Sequence, residues 1–409
     1  MTPGVGSTRW SGAGAVLEGA SRGRRPIQVA VLGATGSIGM SALKVIRRHP
    51  DRFCVTVLTA NRSVEALTRE AGEHTAACVV VSDERAFSAC AENGTDWVGG
   101  REALIDAVRR PDVDVVVNGL VGFAGLEPSL AALEAGKQLA LANKESLVVG
   151  GELVLRAMER GGGRLVPIDS EHSAILQCVE GRPCASIAKV VLTASGGPFR
   201  GWDGDRLARA RPEDALKHPT WDMGAKVSVD SATLANKALE VIEAHFLFDL
   251  PYERIEVVVH PQSIIHSFVE FVDGSVVAQL GFPNMELPIL YALTYPARAD
   301  DPELRTFDPV RFPPLTFEVP DHERFPLLRL GYEAGRGGGT APITFNAANE
   351  VAVSAFLAGQ ISFPRMIGVV VETIDRIPAR PVSDLSEVFE ADREARETAR
   401  EAARGGSGR

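Results

Sequence analysis

Cysteine is scarce in this sequence. Five cysteines occur in 409 residues, their number is odd, and no two of them form a CxxC pair. Most stand in apolar runs, so we expect reduced core residues of a cytoplasmic protein rather than a disulfide framework. His172, His260 and His266 lack the spacing of a zinc ligand set, so we expect no zinc site.

Basic residues and long apolar runs are also few. Lysine and arginine number 43 against 53 aspartates and glutamates, and the net charge of −10 argues against a nucleic-acid binder. No stretch approaches the roughly 20 apolar residues of a membrane span. We therefore expect neither nucleic acid nor a membrane among the partners of this chain.

Residues 1–26 differ in composition from the rest of the chain. They are rich in glycine, serine and arginine and lack the apolar stretch of a secretory signal. This composition predicts a disordered N-terminal extension. An organellar transit peptide is the alternative, and a wrongly assigned start codon would look the same.

Apolar strand-like runs alternate with helical segments over residues 27–168. The runs are IQVAVL, FCVTVLTA, ACVVVSD and VDVVVN. Continuous apolar strands between helices are typical of a parallel sheet covered on both faces. The pattern predicts an α/β domain with a doubly wound, Rossmann-like sheet.

The pattern changes after residue 168. Segment 169–298 mixes strands with helices, and Asp273-Gly274 is a turn signal between two β-like runs. We predict an α+β domain with an antiparallel-tending sheet there. The Pro-rich residues 299–326 predict a linker, and residues 327–409 predict a C-terminal helical domain.

Three glycines, Gly33, Gly36 and Gly39, lie in GATGSIG between the first strand and the first helix. Such a turn brings backbone N–H groups against a pyrophosphate at a helix N-terminus. The spacing is GxxGxxG rather than GxGxxG. The strand before it and the helix after it predict a dinucleotide site, with a purely structural turn as the alternative.

The second strand ends in Asn61-Arg62-Ser63. An NAD enzyme usually has a carboxylate at this point, which binds the ribose 2′-hydroxyl. An arginine with hydrogen-bonding neighbours suits a 2′-phosphate instead. The sequence thus favours NADPH over NADH, unless Arg62 is merely a surface cation.

Two carboxylates, Asp169 and Glu171, follow the strand-like run Leu165-Val166-Pro167-Ile168. Hard oxygen ligands grouped at a strand end suit Mg²⁺ or Mn²⁺. Paired acids in a loop are more often solvated, so a third, remote carboxylate is needed to favour a metal site.

The stretch SVDSATLANKALEVIEAHFLF offers that carboxylate. We expect Asp230 or Ser231 to cap a helix whose polar face carries Asn236, Lys237 and Glu240. A capped amphipathic helix with a Lys237–Glu240 surface pair is the simpler interpretation. Glu243, one turn further on, competes with Glu240, and the spacing does not separate them.

Two loops have a composition suited to substrate binding. TASGGPF is small and flexible and offers Ser195 as a donor to a phosphate. In KHPTWDMGAK, His218 can bond a substrate, and Trp221 can close over it and exclude water unless it simply anchors the loop. We expect His172 to be structural or to support a ligand residue.

Taken together, these residues resemble the 1-deoxy-D-xylulose 5-phosphate reductoisomerase family. The likeness extends from about residue 27 to about residue 377. It is carried, in the family's order, by GATGSIG, LANKESLV, PIDSEHSAI, TASGGPF, KHPTWDMGAKVSVDSATLANKALEVIEA, HPQSIIHSFVEFVDGSVVAQLG and NAANEVAV.

The resemblance implies an NADP-dependent conversion of 1-deoxy-D-xylulose 5-phosphate to 2-C-methyl-D-erythritol 4-phosphate. The reaction is a metal-assisted rearrangement followed by hydride reduction, in the non-mevalonate route to isoprenoids. The implied metal is Mn²⁺, Mg²⁺ or Co²⁺. The resemblance also implies a homodimer, with the dimerisation sheet and a lid loop in residues 169–298.

The resemblance assigns site residues as well. NADPH contacts are implied for Thr35, Gly36, Ser37, Ile38, Ala60, Asn61, Arg62, Asn143, Glu145 and Gly224. Metal ligands are implied to be Asp169, Glu171 and Glu240, which decides against Glu243. Substrate contacts are implied for Lys144, Ser170, Ser195, His218, Ser231, Asn236 and Lys237, and a lid for Trp221 and Met223.

The chain departs from the family pattern at two places. Asn61-Arg62 replaces the commoner Gly-Lys/Ser-Asn arrangement, which leaves individual 2′-phosphate contacts open, and Asn284 replaces an aspartate. Two other functions compete. A semialdehyde dehydrogenase needs a nucleophilic cysteine in a polar setting, and a non-catalytic NADPH-binding regulator has no need for the metal, phosphate and lid residues together.

Overall fold

A computed structural model of the chain describes residues 25–91, 96–221 and 223–405. Except for residues 25 and 26, the predicted N-terminal extension lies outside the described residues. None of the helices in the described ranges is both long enough and apolar enough to cross a membrane.

Seven parallel strands form the first sheet, in the order β4-β3-β2-β1-β5-β6-β7. Strand β1 has β2 on one side and β5 on the other, so the strand order reverses there, which confirms the doubly wound sheet. Ligands bind such sheets at this reversal, beyond the carboxyl ends of the strands. The strands are β1 Ile27–Leu32, β2 Phe53–Ala60, β3 Cys78–Val81, β4 Val98–Gly99, β5 Val115–Asn118, β6 Gln138–Leu141 and β7 Arg164–Pro167.

Helices connect these strands and pack on both faces of the sheet. The central strands are almost wholly buried, because helices cover them from both sides. A short 3₁₀ turn at Gly122–Gly125 follows β5. The helices are α1 Ser37–Arg48, α2 Val64–His74, α3 Glu84–Ala91, α4 Gly100–Arg109, α5 Leu126–Glu134 and α6 Lys144–Gly161.

A second, four-stranded sheet has the order β11-β10-β8-β9. Its pairs are antiparallel except for β8 with β9, and the predicted turn at Asp273-Gly274 joins β10 to β11. The strands are β8 Ile187–Ala194, β9 Ile255–Val259, β10 Ile265–Phe271 and β11 Val276–Leu280. The accompanying helices are α7 Ser170–Val179, α8 Gly204–Ala208, α9 Pro212–Ala215, α10 Ala225–Ala232, α11 Ala235–Phe248 and α12 Glu286–Thr294.

The last part of the chain is helical, as predicted. Within residues 299–326 the structure shows a 3₁₀ turn at Pro302–Leu304 and a bridge from Glu318 to Val259. The domain boundaries read from the sequence stay a prediction. The C-terminal helices are α13 Leu327–Gly337, α14 Ala341–Leu357, α15 Phe363–Arg376 and α16 Leu385–Gly405.

Candidate active site

A cavity of about 300 Å³ lies at the carboxyl ends of the first sheet and extends to α10 and α11. It brings together most of the residues that the sequence singled out. These are Gly36, Ser37, Ile38, Lys144, Glu145, Asp169, Ser170, Glu171, Ser195, His218, Trp221, Met223, Gly224, Ser231, Asn236, Lys237 and Glu240. The remaining predicted residues do not line it: Gly33, Thr35, Ala60, Asn61, Arg62 and Asn143.

The glycine turn needs its glycines for two reasons. Gly33 has a φ of +75°, which side chains rarely tolerate. A Cβ on Gly39 would lie 2.3 Å from the carbonyl oxygen of Gly33, so only glycine lets the helix approach the turn this closely. Helix α1 begins after Gly36, and in the described chain no side chain caps it. The N–H groups at its start therefore face the cavity without a side-chain acceptor, which suits a phosphate.

The carboxyl end of β2 lies beside this turn. The main-chain N–H of Gly33 donates to the Thr59 hydroxyl at 3.1 Å, which ties the turn to β2. Arg62 is exposed just beyond the strand, and its Nε donates to Asp83 Oδ2 at 2.8 Å. The guanidinium thus stands at the edge where a 2′-phosphate would reach it, but it is already paired with a carboxylate.

The side chain of Asn143 does not line the cavity; it bonds to the segments around it instead. Its side-chain oxygen accepts from the Ser146 N–H and caps α6, while its amide donates to the carbonyls of Leu120 and Gly122. The same amide donates to Glu145 Oε2 at 3.0 Å. Buried and fully hydrogen-bonded, Asn143 holds the loop after β5 and orients Glu145, which does line the cavity.

Three carboxylates meet at the other end of the cavity. Asp169 follows β7, Glu171 lies in the first turn of α7, and Glu240 comes from α11. One oxygen from each lies within 4.8 Å of the others. Lys237 Nζ donates to Glu171 Oε1 at 2.7 Å and also to Glu240, and Lys144 pairs with Asp169.

Three acids face two lysines in this cluster, so one of the acids, Glu240, is held protonated near neutral pH. Burial raises the pKa of Glu240, and the adjoining charge of Glu171 adds to this, bringing it to about 8. Burial also acts to raise the pKa of Glu171, but the charges of Lys237 and Lys144 outweigh it and hold the value at about 2. A further cation would relieve the remaining repulsion.

The predicted helix cap before Asn236 is wrong. Asp230 and Ser231 lie inside α10, and the next helix begins only after Leu234, which has a φ of +60°. The sequence suggested one capped helix, whereas two helices meet at a kink. The simpler interpretation of a surface pair also fails, because Lys237 and Glu240 are 3% and 1% exposed.

His172 and Glu243 lie behind the carboxylates and do not line the cavity. The Nδ1 of His172 is 3.1 Å from Glu243 Oε2, and its Nε2 is 2.9 Å from the carbonyl oxygen of Glu240. Burial acts to lower the pKa of His172, but the charges of Glu243 and Asp169 outweigh it and raise the value to about 9. The hydrogen bond from Nε2 to the Glu240 carbonyl, together with the ion-pair contact between Nδ1 and Glu243, anchors the segment that carries Glu240.

Hydroxyl and imidazole groups also face the cavity, and the amide of Asn236 there donates to Glu240 Oε1. A Cβ on Gly197 would lie 2.4 Å from the Ser231 carbonyl oxygen, so the loop after β8 packs directly on α10 and brings Ser195 close to Ser231. His218 Nδ1 accepts the N–H of Trp221 at 2.9 Å, and Nε2 lies 2.8 Å from Ser195 Oγ. Nε2 therefore carries the proton of the neutral ring and donates to Ser195, whose own hydrogen is left for a ligand.

Sequence reasoning missed Lys226, which also lines the cavity. Its Nζ donates to Glu145 Oε1 at 2.7 Å and to Asp230 Oδ2 at 2.9 Å. Burial acts to lower the pKa of Lys226, but the charges of Asp230 and Glu145 outweigh it and raise the value. The i, i+4 spacing to Asp230 was the one local signal that could have found this residue.

The five cysteines, all within the described ranges, lie away from the cavity. Burial raises the pKa of Cys178 to about 11, so its thiol stays protonated. The expectation of core cysteines is confirmed for Cys90 and Cys178 but is wrong for Cys54, which is exposed, and for Cys78 and Cys184, which are half-buried. A thiol nucleophile, as a semialdehyde dehydrogenase requires, is not present at this site.

Comparison with known sequences decides the family. The chain matches the profile of 1-deoxy-D-xylulose 5-phosphate reductoisomerase at residues 29–151 and those of the two C-terminal domains of the same enzyme at residues 165–248 and 280–398. The 1-deoxy-D-xylulose 5-phosphate reductoisomerase of Gloeobacter violaceus is 50% identical over 379 residues, which cover 91% of this chain and 96% of that protein. This chain belongs to the 1-deoxy-D-xylulose 5-phosphate reductoisomerase family.

Solved structures of this reductoisomerase family agree with the fold. The enzyme from Zymomonas mobilis, in complex with NADPH, has a TM-score of 0.85 at 43% identity, covering 93% of this chain and all of that one. Another reductoisomerase, in complex with NADPH, fosmidomycin and magnesium, has a TM-score of 0.87 at 40% identity and covers 92% of this chain and 98% of that one.

Proposed function

We infer that this chain converts 1-deoxy-D-xylulose 5-phosphate to 2-C-methyl-D-erythritol 4-phosphate with NADPH and a divalent metal, in the non-mevalonate route to isoprenoids. The observation that carries this inference is a single cavity with a glycine turn at one end and three converging carboxylates at the other. Family membership supplies the reaction. A regulator without catalysis has no use for this carboxylate cluster.

The carboxylate cluster fits a divalent metal. Asp169, Glu171 and Glu240 would hold it, since they offer hard oxygen atoms within 4.8 Å of one another. When bound, Mg²⁺, Mn²⁺ or Co²⁺ supplies Lewis-acid polarisation of a substrate carbonyl. Lys144 and Lys237, which pair with these carboxylates, then become available to an anionic substrate.

The glycine turn fits the pyrophosphate of NADPH. Ser37 and Ile38 present N–H groups at the start of α1, while the Gly36 N–H closes the turn on the carbonyl oxygen of Gly33. NADPH supplies the hydride when bound. We propose that Arg62 exchanges its Asp83 partner for the 2′-phosphate, with Asn61 beside it as a second donor.

The chain's own side chains would bind and orient the substrate. Ser195, Ser231 and Asn236 offer neutral donors, and Lys237 offers a cation, on one wall of the cavity. His218 orients Ser195. Trp221 and Met223 line the cavity, and closure of their loop over the substrate would exclude water and retain the reactive aldehyde.

We also propose that the chain acts as a homodimer in the cytoplasm. Strand β11 is an edge strand of the second sheet, and Val276 and Leu280 on it are exposed. An unpaired edge with apolar side chains favours pairing with a second copy. Sedimentation velocity would give twice the chain mass if this is correct and the mass of one chain if it is not.

Activity is tested directly by NADPH oxidation with 1-deoxy-D-xylulose 5-phosphate and Mn²⁺ or Mg²⁺, with a parallel sample containing a chelator. We expect turnover with metal, none with chelator, and formation of 2-C-methyl-D-erythritol 4-phosphate. No turnover with metal, or undiminished turnover in chelator, would reject the proposed function.

A further inference from the structure

Helix α14 carries two neighbouring side chains that bond to two different segments beside the cavity, α10 and the loop after β5. The Asn349 amide donates to Asp230 Oδ1 at 2.7 Å, and Glu350 Oε1 accepts the main-chain N–H of Phe123 at 3.2 Å. Asp230 lines the cavity from α10. Phe123 is two residues after Val121, and Val121 lines the cavity from the loop after β5.

The Asn349 contact continues into the cavity wall. The second oxygen of Asp230 accepts from Lys226, and Lys226 also donates to Glu145. Asn349 and Asp230 are 0% and 1% exposed, so water cannot replace the amide if it is removed. The orientation of Asp230, and through it of Lys226 and Glu145, therefore depends on a helix of the C-terminal region.

The Glu350 contact holds the loop after β5. Arg396 of α16 donates to Glu350 Oε2 at 2.6 Å, which fixes the carboxylate. The adjoining Gly122 has a φ of +73°, and a Cβ there would lie 2.9 Å from Glu350 Oε1. Phe123 also packs edge-on against Phe389 of α16, with ring centres 5.2 Å apart. The loop is thus closely fitted to the C-terminal helices.

We propose that Asn349 and Glu350 are positioning residues for the reaction, which together hold the α10 wall and the loop after β5 at a fixed separation. This proposal rests on the proposed function. Hydride transfer needs the reacting atoms in close, aligned contact, and a small shift of one wall lowers the rate more than it weakens binding. Neither residue touches the cavity, so each acts through the groups it holds.

The test uses the full chain with NADPH, 1-deoxy-D-xylulose 5-phosphate and Mn²⁺. Asn349→Asp keeps the shape of the side chain but removes the donor, and Asn349→Ala removes the group. We expect both to lower kcat about tenfold or more, with both KM values changed less than about threefold. With NADPH deuterated at the transferred position, the isotope effect on kcat should increase, because hydride transfer becomes slower relative to product release.

The role of Glu350 is tested by comparing Glu350→Ala with the conservative variant Glu350→Gln. Glu350→Ala removes the acceptor for the Phe123 N–H and should lower kcat as Asn349→Ala does. Glu350→Gln retains an oxygen that can accept this bond, and it should recover most of the loss. Equal losses in the two variants would mean that the ion pair with Arg396, rather than the hold on the loop, accounts for the effect, and would overturn the proposal for Glu350.

Val353→Ala is the matched control for lost stability. Val353 is 2% exposed on the same helix and is not one of the cavity residues, so its truncation should lower the melting temperature and leave kcat unchanged. A second control combines Asn349→Ala with Lys226→Met. If Asn349 acts through Lys226, the double variant should be no slower than Lys226→Met alone.

The outcomes separate the two proposals. An inactive wild-type protein rejects the proposed function. An active wild-type protein with unchanged kcat in all four Asn349 and Glu350 variants rejects the positioning role alone. The positioning role is also rejected if Val353→Ala, at an equal loss of melting temperature, lowers kcat as much as the Asn349 and Glu350 variants do.

Discussion

His218 and Ser195 form a hydrogen-bonded pair at the substrate side of the cavity, with 2.8 Å between Nε2 and Oγ. Because the imidazole proton is committed to Ser195, the serine hydrogen is directed at the ligand. His218→Ala and Ser195→Ala should each raise KM for 1-deoxy-D-xylulose 5-phosphate about tenfold. The double variant should show no further increase, since the two side chains act as a unit. Steady-state kinetics measure this, and additive effects would contradict the coupling.

Acid should destabilise the protein through His218. Burial lowers the pKa of this residue to about 4, whereas the unfolded chain takes up the proton near pH 6.5, roughly the ordinary value. Between these values unfolding binds a proton, so the free energy of unfolding decreases as the pH falls. Urea unfolding from about pH 7.5 to about pH 5 should show a smaller loss in His218→Asn than in the wild type. Equal losses would show that His218 does not contribute.

Removal of one carboxylate should weaken metal binding without affecting the cofactor. Glu240→Gln should lower the Mn²⁺ affinity, measured by electron paramagnetic resonance, about a hundredfold and abolish turnover. NADPH binding, followed by fluorescence, should be unchanged. Glu243→Gln is the comparison, because Glu243 was the competing ligand on the same helix. If Glu243→Gln lost Mn²⁺ and Glu240→Gln retained it, the ligand assignment would be reversed.

Arg62 should determine the preference for NADPH over NADH. Arg62→Ala should raise KM for NADPH about tenfold and change KM for NADH little, because only NADPH carries the 2′-phosphate. Asp83→Ala, which frees the guanidinium, should lower KM for NADPH. Arg69→Ala, at an exposed position of α2, controls for loss of surface charge. An unchanged ratio of the two KM values in Arg62→Ala would mean that Arg62 is only a surface cation.

Gly122 should tolerate a side chain less well than Gly181, whose backbone conformation is similar. Gly122 and Gly181 have φ values of +73° and +72°, but a Cβ on Gly181 meets nothing within 4 Å. Gly181→Ala should cost about 1 kcal/mol of stability through backbone strain alone. Gly122→Ala should cost more and also lower kcat, because the added Cβ displaces the loop. Chemical denaturation and steady-state rates on both variants measure these effects.

The parts of the fold that depend on local patterns were predictable. The strand runs around GATGSIG, the turn at Asp273-Gly274 and the C-terminal helices all follow from side-chain periodicity and from glycine's backbone freedom, and the structure contains each of them. The grouping of Asp169 and Glu171 with Glu240 required the family resemblance. Glu171 and Glu240 are 69 positions apart in the sequence, and no local pattern shows that residues so far apart meet in space.

What the sequence did not reveal depends on long-range contacts. Lys226 can be buried because Glu145, 81 positions away in the sequence, accepts a hydrogen bond from it, as Asp230 does. The kink at Leu234 replaced the expected cap because Asp230 is committed to Lys226 and Asn349 instead of to the start of α11. The side chain of Asn143 is saturated by the loop after β5. In each case a polar group is satisfied by a partner that the local sequence does not show.

The contact between Asn349 and Asp230 spans 119 positions, and that between Glu350 and Phe123 spans 227. The glycine turn, the carboxylates and the loop carrying His218 therefore all leave the ribosome well before α14, the helix that holds α10 and the loop after β5 in place. During synthesis, the nascent chain would pass through a stage in which every cavity residue is present but the contacts from Asn349 and Glu350 have not yet formed. Residues 307–405, the described part of the last quarter of the chain, complete the site without contributing a residue to its lining.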